Sequence, residues 1–142
     1  MFDVITIGGA TRDIFFEIPK IGLEKNGNKL EERNIKIPYG SKLVSENTYY
    51  DYGGGAVNTA ICFARLGLSS ASFCNIGHDG TGTTITERLK KEGVSTKLVS
   101  HDRSLHTGLS ILLLGKDNEH TGLLERGANN HLHIEKKGPL KK

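Results

Sequence analysis

Three consecutive glycines, Gly53-Gly54-Gly55, stand immediately before Ala56-Val57-Asn58, where a helical spacing of apolar residues begins. Glycine has no Cβ, so backbone amides in such a turn can approach a ligand closely, and the helix that follows offers its positive end. Hydroxyls are served as well as phosphates. Asn58, in the first helical turn, supplies both a donor and an acceptor. Asp13 supplies an ionised carboxylate, the group best suited to accept hydrogen bonds from hydroxyls. It follows the β-branched run Val4 to Ile7 and Gly8-Gly9, at the carboxyl end of a strand, where open parallel sheets bind their ligands. Each feature also has a purely structural reading. The triplet is equally a turn into a helix, Asp13 a loop residue capping local backbone, and Asn58 a side chain satisfying the free amides of a helix start.

Other site chemistries fail on spacing. Gly22 and Gly27 stand as far apart as the glycines of a phosphate-binding P-loop, but Asn28 occupies the lysine position and the flanks are not strand then helix. A dinucleotide fingerprint is missing too, because Asn58 stands where a third glycine is required. His131 and His133 share a side if extended but bring no third ligand, so no metal site is assigned. Cys62 and Cys74 lie far apart in apolar stretches and read as reduced core thiols.

The elements that must position these residues alternate. Val4 to Ile7 predicts a buried strand. Ile14 to Ile18, Ile35 to Ile37 and Thr48 to Tyr52 predict short strands of a small excursion, joined by mobile loops through the polar stretch Lys20 to Asn34. Val57, Ala60, Ile61 and Ala64 form one buried helix face, and Gly67 ends that helix as a left-handed cap. Ala71 to Ile76 reads as a second strand, Thr83 to Glu92 as a second helix closed by Gly93, and Thr107 to Leu114 as a third strand. That last run is apolar enough to lie inside the sheet. Strand, helix, strand, helix, strand predicts a parallel sheet in a three-layer αβα, Rossmann-like arrangement. His120 to Arg126 adds a further strand.

Larger blocks fit the same order. Gly53-Gly54-Gly55-Ala56-Val57-Asn58-Thr59-Ala60 is followed by Arg65-Leu66-Gly67, by Gly77-His78-Asp79-Gly80-Thr81-Gly82 and by Leu89-Lys90-Lys91-Glu92-Gly93-Val94. Ile7-Gly8-Gly9 leading to Asp13 precedes them, and Thr107-Gly108 through Arg126-Gly127-Ala128-Asn129 follows. Over about residues 2 to 130 this resembles the N-terminal part of the ribokinase-like (PfkB) carbohydrate and nucleoside kinases.

The resemblance implies a ribokinase-like fold with a small β-strand lid, here placed at about residues 14–52 of a domain spanning 1–130, and a polar, disordered tail at 131–142. It implies transfer of the γ-phosphoryl group of ATP, with Mg²⁺, to a hydroxymethyl group of a sugar or nucleoside. Asp13 would accept hydrogen bonds from substrate hydroxyls, Gly54 and Gly55 would present backbone groups, Asn58 would bond a hydroxyl, and Thr11 matches a weaker polar contact. Gly77 to Gly82 reads as a structural turn in which Asp79 caps the next helix, and Arg126 is left out of the site.

The family's second signature, a glycine-rich anion hole ending in the aspartate base, does not occur in the sequence. No catalytic residue is therefore assigned, and ATP and Mg²⁺ are expected to belong to the full-length enzyme rather than to be bound by this chain alone. A truncated, inactive sugar-binding half is the first expectation. Its rival is a non-catalytic binding or interaction module derived from such a kinase. Either would form a homodimer through the lid or pair with a separate C-terminal half.

Composition narrows the partners. The net charge of +3 over 142 residues comes from interleaved acidic and basic side chains, with no basic stripe for nucleic acid. Only Lys136, Lys137, Lys141 and Lys142 cluster, at a terminus where solvated ends are usual. Apolar runs are far shorter than a membrane span, and the opening residues carry no charged-then-apolar leader. A cytoplasmic protein without membrane contact is expected.

Overall fold

The computed structural model describes residues 1–18, 22–25, 33–115 and 119–134. The body is built on β1 (Val4–Ile7), which pairs in parallel with β6 (Ser70–Phe73), Val4 opposite Ser70 and Ile7 opposite Phe73. Alternation along β6 divides its side chains between two cores. On one face Ala71 and Phe73 are buried with Leu98, and Phe2, Ile5 and Leu132 pack against them. The other face receives α1 (Gly55–Arg65) through Ala56, Val57, Ala60 and Ile61. Small hydroxyls on this side let the helix lie close: Thr6 donates to the Ala56 carbonyl at 2.8 Å and Ser70 to the Ala60 carbonyl at 2.9 Å.

The second helix, α2 (Gly80–Lys91), adds Ile85 and Leu89 to the same core as α1. It begins three residues before the predicted Thr83, because Asp79 is its N-cap and accepts from the Gly82 amide at 2.7 Å. Both helices close on glycine in the left-handed region. Gly67 (φ 87°) and Gly93 (φ 76°) each give their amide to the residue three back, while Leu68 and Val94 bond five back.

The predicted strand Ala71 to Ile76 is interrupted at Cys74. Its second part, β7 (Asn75–Gly77), pairs in parallel with β8 (Ser100–Asp102), a three-residue strand too short and polar for its sequence to announce.

A separate four-stranded sheet stands beside this body, in the order β10-β9-β2-β5. It consists of β2 (Thr11–Glu17), β5 (Asn47–Gly53), β9 (Gly108–Leu114) and β10 (His120–Glu125), with β2 antiparallel to β5 and parallel to β9. Three expectations need correction here. Thr107 to Leu114 is not a strand of the body's parallel sheet: Gly108–Leu114 pairs with β2 on one side and β10 on the other, and its leucines and isoleucine are only partly buried. Next, β2 begins at Thr11 rather than Ile14, since pairing to β5 and β9 extends it back to Gly53 and Gly108. Asp13 is consequently inside a strand, not in a loop after β1.

β3 (Gly22–Lys25) and β4 (Arg33–Lys36) pair antiparallel as a two-stranded sheet. Most of the predicted loop from Lys20 to Asn34, and the tail from residue 135 onward with its lysines, lie outside the described residues. Before that point the chain makes a 3-10 turn, η1 (Gly127–His131). His131 pairs with Asp102 through Nδ1 at 2.7 Å.

Candidate functional site

β2 and β5 meet α1 at Gly53, and three candidate side chains converge there. A Cβ added at Gly53 would lie 2.8 Å from Asp13 Oδ2 and 3.0 Å from Asn58 Nδ2. The absent side chain therefore lets a carboxylate and a carboxamide approach the same point of backbone. Thr11 joins them, its hydroxyl donating to Asp13 Oδ1 at 3.0 Å. Strand register explains the grouping. Thr11 faces Gly53 and Gly108, Asp13 faces Asp51 and Ser110, and directly opposed residues share a sheet face.

The rest of the glycine triplet divides its work. Gly54 precedes α1 with φ 97°, and a Cβ there would run into the Gly9 carbonyl and sit 2.9 Å from the Ala10 Cα. Its role is to let the helix start press against the β1–β2 connection, where the Ala56 amide bonds the Gly9 carbonyl at 3.2 Å. Gly55 has nothing within 4 Å of an added Cβ and opens the first turn of α1 outward. No side-chain cap bonds the start of α1. The Asn58 carboxamide is aimed at Gly53, away from the capping job that a helix-start asparagine can do.

Charge at the centre of the site is unsettled in a useful way. Burial of the Asp13 carboxyl and the neighbouring charge of Asp51 push its pKa above the usual carboxylate range, against hydrogen bonds from Thr11 and Ser110 and the attraction of Arg88. The result is a half-buried acceptor with strong interest in a donor. Ser110, Asp51 and Arg88 escaped the sequence reading. Ser110 left one signal, a lone hydroxyl in the apolar run Leu109 to Leu114, and it is 5% exposed.

Below the site, Asn129 of the Gly127-Ala128-Asn129 block clamps the chain that carries Asp13. It accepts from the Ala10 amide at 2.8 Å and donates to the Ala10 carbonyl at 3.0 Å. In the turn Gly77 to Gly82, Asp79 takes the capping position that the sequence predicts. Asp79 caps α2 and also takes the Thr107 amide at 2.7 Å and the Thr107 hydroxyl at 2.8 Å. Burial raises its pKa, but those bonds outweigh it and leave the carboxyl below the usual range. Arg126 is exposed and stands at the start of the 3-10 turn.

Among the described residues no group of three or more His, Cys, Asp or Glu side chains comes together in a way that would hold a metal ion. No described helix is long and apolar enough to cross a membrane.

The arrangement has counterparts. A model of the pfkB family carbohydrate kinases matches residues 17–138. Haemophilus influenzae ribokinase is 33% identical over 102 residues, covering 69% of this chain and 33% of that protein. Among solved structures, the Cryptococcus neoformans ribokinase in complex with ADP is 25% identical with a TM-score of 0.69, covering 87% of this chain and 34% of that one. The Burkholderia thailandensis nucleoside kinase in complex with inosine shares the fold at a TM-score of 0.73 and 15% identity, over 92% of this chain and 37% of that one. The chain thus spans about a third of the length of the relatives it matches. On its sequence blocks, its ribokinase fold and this match over most of its length, it belongs to the pfkB family of carbohydrate kinases.

Proposed function

We propose that this chain forms the substrate-binding side of an ATP-dependent kinase for a sugar or nucleoside, and that its 142 residues alone transfer no phosphoryl group. The observation that carries the first part is the convergence of Asp13 and Asn58 on Gly53, with Thr11 bonded to the carboxylate. An ionised carboxylate accepts from two vicinal hydroxyls, while the carboxamide beside it both donates and accepts, and that set suits a polyol. Gly54 and Gly55 leave the start of α1 bare, so backbone groups complete the wall. Phosphoryl transfer needs positioning and charge neutralisation around the γ-phosphate. The glycine-rich anion hole and aspartate base that the family resemblance implies for that step are not among these residues. In the whole enzyme ATP and Mg²⁺ would be held elsewhere, consistent with a cytoplasmic setting and with docking onto a catalytic partner segment or a second copy.

The rival reading, a non-catalytic binding module, predicts the same ligand binding and differs only in that no partner segment restores turnover. Calorimetric titration of D-ribose, D-fructose and inosine into wild type and Asp13→Ala, followed by an ATP-to-ADP assay with the same compounds, tests the proposal. Affinity no tighter than about millimolar, roughly 4 kcal/mol, lost in Asp13→Ala and without turnover, is the expected result. Equal binding by both proteins, or turnover that persists through repurification and vanishes in Asp13→Ala, would overturn it.

A further inference from the structure

Asp13 does not face a neutral neighbour. Asp51 is its cross-strand partner on β5, and directly opposed side chains of paired strands stand about 5 Å apart at Cβ. Two carboxylates in that relation resist joint ionisation. Among the described residues, one cation is placed to answer them. Arg88 of α2 bonds the Asp51 carboxylate through Nη1, and the same nitrogen donates to the Tyr52 carbonyl at 2.7 Å. Tyr52 immediately precedes Gly53 and packs against the core shared by the two helices. One guanidinium thus reaches from the helix layer to the last residues of β5, where the wall of the candidate site begins.

We propose that Arg88 is a positioning residue for the Asp13 site: it ties the end of β5 to α2 and absorbs the charge of Asp51, so that Asp13 remains the carboxylate that meets a ligand hydroxyl. This rests on the substrate-binding reading above for its purpose, though not for its geometry. The groups around Asp13 are few. Thr11 from β2, Ser110 from β9 and Asn58 from α1 are neutral, which leaves Asp51 from β5 and Arg88 from α2 to set the local charge. Arg88 also holds Asp51 ionised: burial pushes Asp51 up, but the Arg88 and Tyr52 amide hydrogen bonds bring it below the usual range. Without Arg88 the two carboxylates would compete for a proton, and the site would lose its acceptor as pH falls.

The test is a carbon-detected NMR titration of the Asp13 carboxyl in the full 142-residue chain, for wild type, Arg88→Met, Asp51→Asn and the double variant. Arg88→Met should move the Asp13 midpoint to higher pH, Asp51→Asn to lower pH, and the double variant should return to wild type or below. The pH at which ribose or inosine affinity is half lost should move with it. A purely structural role for Arg88 would not be rescued by neutralising Asp51. An unmoved Asp13 midpoint in folded Arg88→Met, or a double variant displaced as far as Arg88→Met, overturns the proposal. Should Arg88→Met not fold, an unmoved midpoint in Asp51→Asn does so. Wild type that binds neither compound defeats the substrate reading, while the carboxyl titration still decides the role of Arg88.

Discussion

At Asp13, binding and stability pull in opposite directions. Its folded pKa is raised, so the folded state takes up a proton more readily than the unfolded chain does. The stability this contributes is present below the unfolded carboxylate pKa and is lost as pH rises through the folded one. At neutral pH the ionised group is a burden that Thr11, Ser110 and Arg88 relieve only in part. Asp13→Asn, measured by thermal melting at pH 7, should therefore melt slightly higher than wild type while losing sugar affinity, and the difference in melting should vanish near pH 3. Asp79 has the reverse sign. Its pKa is lowered, so its contribution is present above the unfolded pKa and lost as pH falls through the folded one. Removing it uncaps α2 and orphans the Thr107 amide, so Asp79→Ala should cost about 2–4 kcal/mol in urea unfolding at pH 7. Asp13 and Asn58 drew notice in the sequence because they stand near a strand end and a glycine triplet, and Thr11 only through the family resemblance. Asp51, Ser110 and Arg88 did not, because their part depends on register and on which turn of α2 faces β5.

At the scale of elements, local signals and long-range pairing were unequally legible. The helix faces, the two glycine caps and the Asp79 cap follow from spacing within a dozen residues, and only the start of α2 differs, by three residues. The sheet memberships do not follow from such spacing. Nothing local distinguishes Leu109 to Leu114 in a parallel body sheet from the same run paired between β2 and β10, where its leucines and isoleucine are only partly buried. Two junctions hold the elements in place for the site. Gly54→Ala would force a Cβ against the Gly9 backbone at a positive φ and should destabilise by about 1–3 kcal/mol in urea unfolding. Asn129→Ala removes both bonds to Ala10, and should cost about 2 kcal/mol in the same measurement. It should also raise amide exchange at Ala10 and Thr11, because the connection carrying Asp13 loses its clamp.

For the whole molecule, the chain is about a third of the length of the relatives it matches, and the proposed site joins its two parts. The four-stranded sheet supplies Asp13, Thr11 and Ser110, the body supplies Asn58 and Arg88, and Gly53 is the seam between them. A ligand bound at the proposed site would touch both parts. Backbone amide NMR during titration with D-ribose and inosine tests this most directly. Shifts concentrated at Gly53, Gly54, Gly55 and Asn58 with matching changes along β2, saturating near about millimolar ligand and absent in Asp13→Ala, are the predicted result. Shifts confined to other surfaces, or the same shifts persisting in Asp13→Ala, would contradict the assignment of Asp13 as the acceptor on which binding depends.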